Sequence, residues 1–252
     1  MHPPPDKFGE MLYSAIEQDA WLLYAHGGLL GILVGAVMAA IVADCTDRDG
    51  RPRKFVIGCQ RPSTRSFWKI PLLNRGVSPV KAEDPQVDVL IGRCVNDRKT
   101  LTATYNSQVI DLADCVVIDV QCDFLKQELG NMKSGECDMA ALEATLKTVG
   151  QHIRPECLVL IETTVAPGTT EFVAWPILKK AFANRGITSV PLLAHSYERV
   201  MPGREYVASI RDFWRVCAGC DAAARARVEK FLHEVLNTDQ FPLTVMDQIG
   251  RA

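Results

Sequence analysis

An uncharged stretch of 23 residues, from Trp21 to Ala43, constrains the fold of this chain more than any other feature. Its only clearly polar side chain is His26. About 20 apolar residues suffice to span a bilayer. Gly27, Gly31 and Gly35 also have the small-xxx-small spacing of packed membrane helices. One interpretation of the stretch is therefore a membrane anchor.

The other interpretation is a buried strand over Trp21–Ala25, a glycine turn, and a buried helix from about Leu29 to Ala43. Such a pair is apolar all round because it lies in the middle of a parallel sheet. The rest of the chain favours this interpretation, since a membrane span would leave the first unit of the sheet without its strand.

Beyond Ala43, short apolar runs alternate with helical patterns. The candidate strands are Lys54–Cys59, Leu101–Tyr105, Cys115–Val120, Leu158–Ile161, Val190–Ala194, Arg215–Ala218 and Pro242–Val245. The candidate helices are Met139–Ile153, Asp221–Leu236 and Thr169–Phe182, the last with a kink at Pro176. This alternation predicts an α/β fold, a Rossmann-like doubly wound and mainly parallel sheet in three layers.

We expect residues 1–20 to form an N-terminal extension and residues 21–252 a single domain. The least structured parts are predicted at 1–6, 44–53 and 121–137. The chain has 28 basic and 30 acidic residues, and this balance disfavours a nucleic-acid partner. The first twenty residues carry four acids and one lysine, unlike a secretory signal.

Nine cysteines are scattered along the chain, an odd number that does not suggest a disulfide framework. Several lie inside apolar runs, where a free cysteine acts as a small hydrophobic residue. Cys217 and Cys220 form a lone CxxC without a second pair, so we predict no metal site. A reducing cytoplasm is the expected location.

The glycine turn reads His26-Gly27-Gly28-Leu29-Leu30-Gly31. A dinucleotide-binding turn needs G-x-G-x-x-G, and Gly28 and Gly31 occupy its second and third glycine positions. His26 replaces the first glycine, and the acid expected to bind the ribose is replaced by Gln60. Arg61 beside it leaves NADP open, because arginine suits a 2′-phosphate. The alternative is a glycine-containing start of an apolar helix.

Four motifs recur in one order: LNRGVSP (73–79), ADCVVIDV (113–120), IETTVAPGTT (161–170) and HSYERVMPG (195–203). Together they resemble the NAD-binding domain of the UDP-glucose/GDP-mannose dehydrogenase family, especially its N-acetylhexosamine-type members of bacterial surface-polysaccharide synthesis. The resemblance spans roughly residues 21–246. It implies oxidation of the C6 alcohol of a nucleotide-linked sugar to a carboxylate, with two NAD used in succession.

The resemblance also implies roles for individual residues. Thr164 matches the threonine that orients the reactive water, and Glu198 matches a glutamate of the acid–base steps. Arg199 and Val200 fall where the family lines the sugar site, and His195 is expected to be structural. The cofactor-facing set implied by the turn and the motifs is Gly28, Gly31, Gln60, Arg61, Val120, Gln121, Cys122 and Glu162.

Two departures from the family pattern keep alternatives open. The family's "VPTP" reads Val120-Gln121-Cys122-Asp123 here, and none of the nine cysteines lies in the family's thiolate motif. We therefore expect a cofactor-binding portion that lacks full activity alone and works as a homo-oligomer or with a complementing C-terminal half. The competing hypothesis is a non-catalytic Rossmann-like module that associates with a partner chain. Taken singly, the Thr-Thr pair would be a helix cap and Glu198 a solvated loop acid.

Overall fold

The computed structural model describes residues 21–27, 31–60, 67–79, 81–120, 122–125, 135–201 and 203–246. The predicted extension at 1–20 lies outside these residues. Eight strands form one sheet in the order β10-β9-β8-β7-β4-β1-β2-β3. They are β1 (Trp21–Gly27), β2 (Lys54–Cys59), β3 (Leu101–Thr104), β4 (Cys115–Asp119), β7 (Leu158–Ile161), β8 (Leu192–His195), β9 (Val216–Gly219) and β10 (Thr244–Met246).

Neighbouring strands of this sheet run parallel except for β8 and β9, which are antiparallel. A small antiparallel pair, β5 (Asp123–Leu125) and β6 (Glu136–Asp138), lies outside the large sheet. The predicted mainly parallel α/β sheet is confirmed. The predicted loop at 121–137 contains this strand pair, and the predicted loop at 44–53 contains a bridge between Thr46 and Pro52.

Helices cover both faces of the sheet. They are α1 (Gly31–Ala43), α2 (Lys69–Leu73), α3 (Pro85–Gly92), α4 (Ala140–His152), α5 (Trp175–Asn184), α6 (Tyr206–Arg211) and α7 (Ala222–Val235). Side chains of α1, α2, α3, α6 and α7 pack into one buried cluster, and those of α4 and α5 into another. The sheet separates two apolar cores, which gives the expected three layers.

The uncharged stretch at 21–43 is a strand followed by a helix. β1 pairs with β2 on one side and with β4 on the other. In α1 the whole run from Ala36 to Ala43 is buried. Among the described residues, no helix is long and apolar enough to cross a membrane. The helical part from Ala36 to Ala43 is apolar all round because protein buries it.

Three predicted boundaries need correction. The helix expected over Thr169–Phe182 begins with a π-helical turn, Thr170–Ala174, and α5 itself starts at Trp175. Pro176 therefore lies in the first turn of α5, where its missing N–H is tolerated, and does not kink the helix interior. β8 starts at Leu192 because Val190 is exposed, and β9 starts one residue after Arg215.

Candidate functional site

The chain reverses its direction of travel through the sheet at β1. β2 and β3 lie on one side of β1, whereas β4, β7 and β8 lie on the other. Ligands of open α/β sheets bind in the crevice outside the carboxyl ends of the strands at such a switch point. Gly27, the last residue of β1, lies in register with Asp119, the last residue of β4. β1 therefore ends directly beside the carboxyl end of β4.

Three polar side chains form a buried row along this edge of the sheet: Asp119, Glu162 and Ser196. The Glu162 N–H donates to the Ile118 carbonyl at 2.9 Å, and the Ser196 N–H donates to the Ile161 carbonyl at 3.0 Å. These bonds continue the parallel pairing and place the three residues side by side. Their exposed fractions are 5%, 0% and 0%. Strand alternation places the row on the α1 face of the sheet.

Arg215 supplies the positive charge for this row. Because β9 runs antiparallel to β8, the residue that precedes β9, Arg215, lies at the carboxyl end of β8. Its Nη1 donates to Glu162 Oε1 at 2.8 Å and to the Tyr197 carbonyl at 3.1 Å. The side chain is only 1% exposed. One guanidinium thus joins the start of β9 to the segments that follow β7 and β8.

Burial dominates the electrostatics of the row. It raises the pKa of Glu162, while the charge and hydrogen bond of Arg215 oppose that shift. The pKa of Asp119 is raised well above its usual range, first by burial and then by the negative charges of Glu162 and Glu198. Burial also raises the pKa of the Tyr206 hydroxyl, with a further contribution from Asp119. One arginine thus faces two buried carboxyl groups, and it opposes the effect of burial more directly at Glu162, to which it is hydrogen-bonded, than at Asp119.

Glu198 follows β8 and is partly buried. Its Oε2 accepts a hydrogen bond from the Val200 N–H at 2.6 Å, and its own N–H donates to the Glu162 carbonyl at 3.1 Å. Thr164 follows β7 and is exposed. Since β7 and β8 are parallel neighbours, the two residues predicted to be catalytic follow adjacent carboxyl ends.

His195 contacts the segment that carries Thr164. Its Nε2 lies 3.3 Å from the Thr163 carbonyl, and burial lowers its pKa, which favours the neutral ring. A neutral imidazole with the proton on Nε2 donates to that carbonyl. This contact is the kind of structural role that the sequence predicts for His195.

The other predicted site residues occupy different environments. Gln60 is partly buried after β2, and its N–H donates to the Thr104 carbonyl at 3.1 Å. Val120 is buried after β4, and Cys122 is partly buried next to it. Gly31 is the first residue of α1. Gly28, Arg61 and Gln121 lie outside the described residues.

The two residues predicted to contact the sugar point in different directions. The Arg199 side chain is exposed, with its guanidinium carbon 4.9 Å from the centre of the Phe213 ring. The Val200 side chain is partly buried and packs against the core on the α1 face. Only Arg199 therefore presents its side chain to a ligand, whereas Val200 contributes its N–H to Glu198.

The sequence reasoning did not identify Asp119, Ser196, Tyr206 or Arg215. Two signals were present in the sequence. Asp119 is an acid inside an otherwise apolar strand, and Arg215 directly precedes another strand. Neither signal shows which residues meet, because the register of distant strands is not a local property.

The CxxC pair has no features of a reactive site. Cys217 is buried and Cys220 partly buried, and burial raises the pKa of each thiol to about 12. Both thiols are therefore protonated at neutral pH, and a thiolate is the form that binds metals and attacks electrophiles. Over the described part of the chain, no group of three or more His, Cys, Asp or Glu side chains could hold a metal ion.

The doubly wound sheet and its switch point beside β1 are those of a dinucleotide-binding α/β domain. Residues 34–237 match the family described as the UDP-glucose/GDP-mannose dehydrogenase family, NAD binding domain. The chain belongs to this family, and NAD is the cofactor of its domain. The family of NAD-dependent oxidoreductases indicated by the sequence motifs is confirmed.

The comparisons with individual proteins agree with this assignment. A curated relative, UDP-N-acetyl-D-mannosamine dehydrogenase of Pyrococcus horikoshii, is 33% identical over 93 residues, which are 37% of this chain and 22% of the relative. The crystal structure of NDP-N-acetyl-D-galactosaminuronic acid dehydrogenase from Methanosarcina mazei Go1 matches with a TM-score of 0.76 and 31% identity. The match covers 96% of this chain and 46% of that structure's chain.

The structure of a UDP-D-ManNAc dehydrogenase from Pyrococcus horikoshii has the same fold, with a TM-score of 0.69 and 22% identity. The match covers 90% of this chain and 47% of that structure. This chain thus spans about half the length of the solved structures that it matches.

Proposed function

We propose that this chain binds NAD at the switch point and takes part in the oxidation of a nucleotide-linked N-acetylhexosamine at C6, for polysaccharide synthesis. The proposal rests on the side chains gathered at the carboxyl edge of the sheet, next to the switch point. The buried row, Thr164 and Glu198 lie at or just after the carboxyl ends of the neighbouring strands β4, β7 and β8, and β1 ends beside β4. The relatives named above act on N-acetylhexosamine nucleotides, which supports the sugar class.

The residues around the switch point fit a dinucleotide. Gly27 and Asp119 are in register, so the end of β1 lies beside a buried acid whose Oδ2 has no hydrogen-bond partner among the described residues. Gly28 and Gly31 would let the backbone approach the diphosphate. Gln60, with Arg61 beside it, would face the ribose, and Val120, Gln121, Cys122 and Glu162 would line the crevice. NAD, when bound, supplies the hydride acceptor.

The catalytic proposal concerns Thr164 and Glu198. Glu198 would accept and return protons at the sugar C6, because its carboxylate is held in one orientation by the Val200 N–H. Thr164 would orient a water with its exposed hydroxyl. Arg199 would contact the substrate through its guanidinium, and Val200 through its backbone. We further propose a cytoplasmic location, which suits nine cysteines that form no disulfide bond with one another.

Cofactor binding is tested by titrating the protein with NAD and with NADP while following thermal unfolding. A ligand that binds only the folded state stabilises it by about 2.7 kcal/mol at 100 times its dissociation constant. We expect NAD to raise the unfolding temperature. The rise should be smaller in Gln60→Ala and unchanged in Gln151→Ala, a matched control at an exposed position of α4. Absence of any shift at millimolar NAD contradicts the proposal.

Catalysis is tested by combining this chain with the second half of a related dehydrogenase and measuring NADH released from UDP-N-acetylmannosamine. We expect Glu198→Gln and Thr164→Ala to lower turnover at least about 100-fold, as loss of a general acid–base group does, while NAD affinity stays within about threefold. Glu205→Gln is the matched control in the same loop. Unchanged turnover in both test variants contradicts their catalytic roles.

A second candidate function, a non-catalytic module that binds a partner chain, has one observation in its favour. Phe213, Trp214 and Phe241 form a chain of edge-to-face rings with centroids 5.6 and 5.3 Å apart, and Trp214 is 58% exposed. Exposed aromatic side chains of this kind are frequent in protein interfaces. Size measurement of the chain alone and with the second half of a relative, combined with the NAD titration, separates the two functions.

A further inference from the structure

The carboxyl group of Asp119 lies between the first strand and the first helix of the fold. Its Oδ2 would be 3.4 Å from a side-chain carbon placed on Gly35 of α1, so the group rests against the second turn of that helix. On its other side Asp119 is in register with Gly27. The residue is 5% exposed, and within the described part of the chain Oδ2 has no hydrogen-bond partner. A buried polar atom next to a ligand crevice is a group that a ligand can satisfy.

The charges around Asp119 are unbalanced. Glu162 follows β7 beside it, and Glu198 contributes a second negative charge from the loop after β8. Tyr206 of α6 carries a neutral phenol whose pKa Asp119 helps to raise, and Gly27 and Gly35 offer no charge from β1 and α1. Among the described residues, the cation that acts on Asp119 is Arg215, and its Nη1 donates to Glu162 and to the Tyr197 carbonyl.

A single guanidinium can neutralise one buried carboxylate of the row, and Glu162 holds it. A second carboxylate one strand away in the same apolar setting would be a buried charge without a partner, which is costly. Like charges at such a distance leave one of the two carboxyl groups protonated. The shift in the pKa of Asp119 has the direction that this geometry demands.

A protonated carboxyl group suits the cofactor that this edge of the sheet receives. The diphosphate of a dinucleotide is anionic, so an aspartate carboxylate beside the glycine turn would repel it. A carboxylic acid carries no charge and has an O–H to donate. We propose that Asp119 is a hydrogen-bond donor to an oxygen of the bound dinucleotide, present in the site as a neutral carboxylic acid. The inference rests on the proposed cofactor position at the switch point.

The competing explanation is that Asp119 only bonds to the Tyr206 hydroxyl inside the fold. Tyr206 is 1% exposed, and its hydroxyl also has no partner among the described residues. In that case the acid would matter for stability and not for the cofactor. The two explanations differ in what happens to NAD affinity when the donor is removed from a folded protein.

The test compares Asp119→Asn, Asp119→Leu and the control Asp114→Asn by calorimetric titration with NAD at pH 7. Asparagine keeps an uncharged donor, so we expect the NAD affinity of Asp119→Asn to stay within about threefold of that of the unsubstituted chain. Leucine has a similar size and no donor, so we expect a loss of about tenfold, the effect of one hydrogen bond. Asp114 lies just before β4, at the opposite end of that strand, and its change should leave NAD affinity unaltered.

Infrared difference spectra give a readout that does not depend on folding of the leucine variant. The unsubstituted chain should show the carbonyl band of a protonated carboxyl group at pH 7, and Asp119→Asn should lose it. Equal NAD affinity of the leucine variant, or the same band in both proteins, overturns the inference while the proposed function stands. If the unsubstituted chain does not bind NAD, the proposed function fails, and the inference fails with it.

Discussion

Arg215 and Glu162 form an ion pair that is closed to solvent, with Nη1 and Oε1 2.8 Å apart and side chains 1% and 0% exposed. The two residues are 53 positions apart in the sequence. Their pairing joins the start of the antiparallel strand β9 to the carboxyl end of β7. Arg215 also donates to the Tyr197 carbonyl, so it links the segments that follow β7 and β8, in which Thr164 and Glu198 lie.

Replacing Arg215 by methionine should destabilise the fold by about 3–5 kcal/mol, because Glu162 is left as a buried charge without its partner. The double change Arg215→Met with Glu162→Gln should recover part of the loss. Denaturant unfolding followed by circular dichroism measures both free energies of unfolding. Arg154→Met removes an exposed ion pair with Asp114 and should change stability by less than about 1 kcal/mol. Equal effects of Arg215→Met and Arg154→Met contradict the prediction.

Asp119 should make the folded state less stable as the pH rises. Its pKa in the folded state is raised, mainly by burial, so the folded chain keeps a proton that the unfolded chain loses above its ordinary pKa. Stability therefore falls from that ordinary value up to the raised one, by at most about 1.4 kcal/mol per pH unit. Relative to the unsubstituted chain, Asp119→Asn should gain stability with rising pH. Urea unfolding at a series of pH values checks this.

Asp212 provides a control of opposite sign for the pH series. The hydrogen bond from Arg211 is the largest cause that lowers the pKa of Asp212 in the folded state. Its contribution to stability is present above the ordinary aspartate pKa and is lost as the pH falls through the lowered one. Asp212→Asn should therefore differ from the unsubstituted chain most at neutral pH. A gap that widens towards acid pH is inconsistent with this assignment.

Gly219 should not tolerate alanine. A side-chain carbon there would lie 2.7 Å from the Arg225 Cα and 2.8 Å from the Ala224 carbonyl carbon, both in the backbone of α7. Because a helix backbone cannot swing aside like a side chain, we expect a loss of about 1–3 kcal/mol. Gly92→Ala in α3 is the matched control. Its nearest neighbour would be 3.5 Å away, and helix propensity predicts a gain of about 0.5–1 kcal/mol. Thermal unfolding of the two variants gives the comparison.

Gln60→Asp should sharpen the preference for NAD over NADP. A carboxylate at the end of β2 hydrogen-bonds the ribose hydroxyls of NAD and repels a 2′-phosphate. We expect the ratio of the NADP and NAD dissociation constants to rise by about tenfold or more, measured by titration calorimetry. Gln151→Asp on the surface of α4 should leave the ratio as it is. An unchanged ratio in Gln60→Asp would place the ribose elsewhere.

Elements with a strong local signal were predicted closely. The helix expected over Met139–Ile153 is observed as Ala140–His152, and the apolar run at 115–120 is the buried strand β4. The short helices α2 and α6 were missed because five or six residues carry too few turns for an apolar period to show. The helix α3 was also missed, although Asp84 caps it by accepting the Gln86 N–H at 2.9 Å.

By itself, the sequence determined the alternation of strands and helices and the motifs at the strand ends, because apolar periodicity and turn residues act within a few positions. The sequence also left two interpretations of the uncharged stretch at 21–43, a membrane anchor or a buried strand and helix, because burial in lipid and burial in protein both select apolar side chains. Only the tertiary structure decided that β9 runs antiparallel and delivers Arg215 to Glu162. The same holds for the row of Asp119, Glu162 and Ser196, because contact between distant segments follows from strand register and direction, which no local pattern encodes.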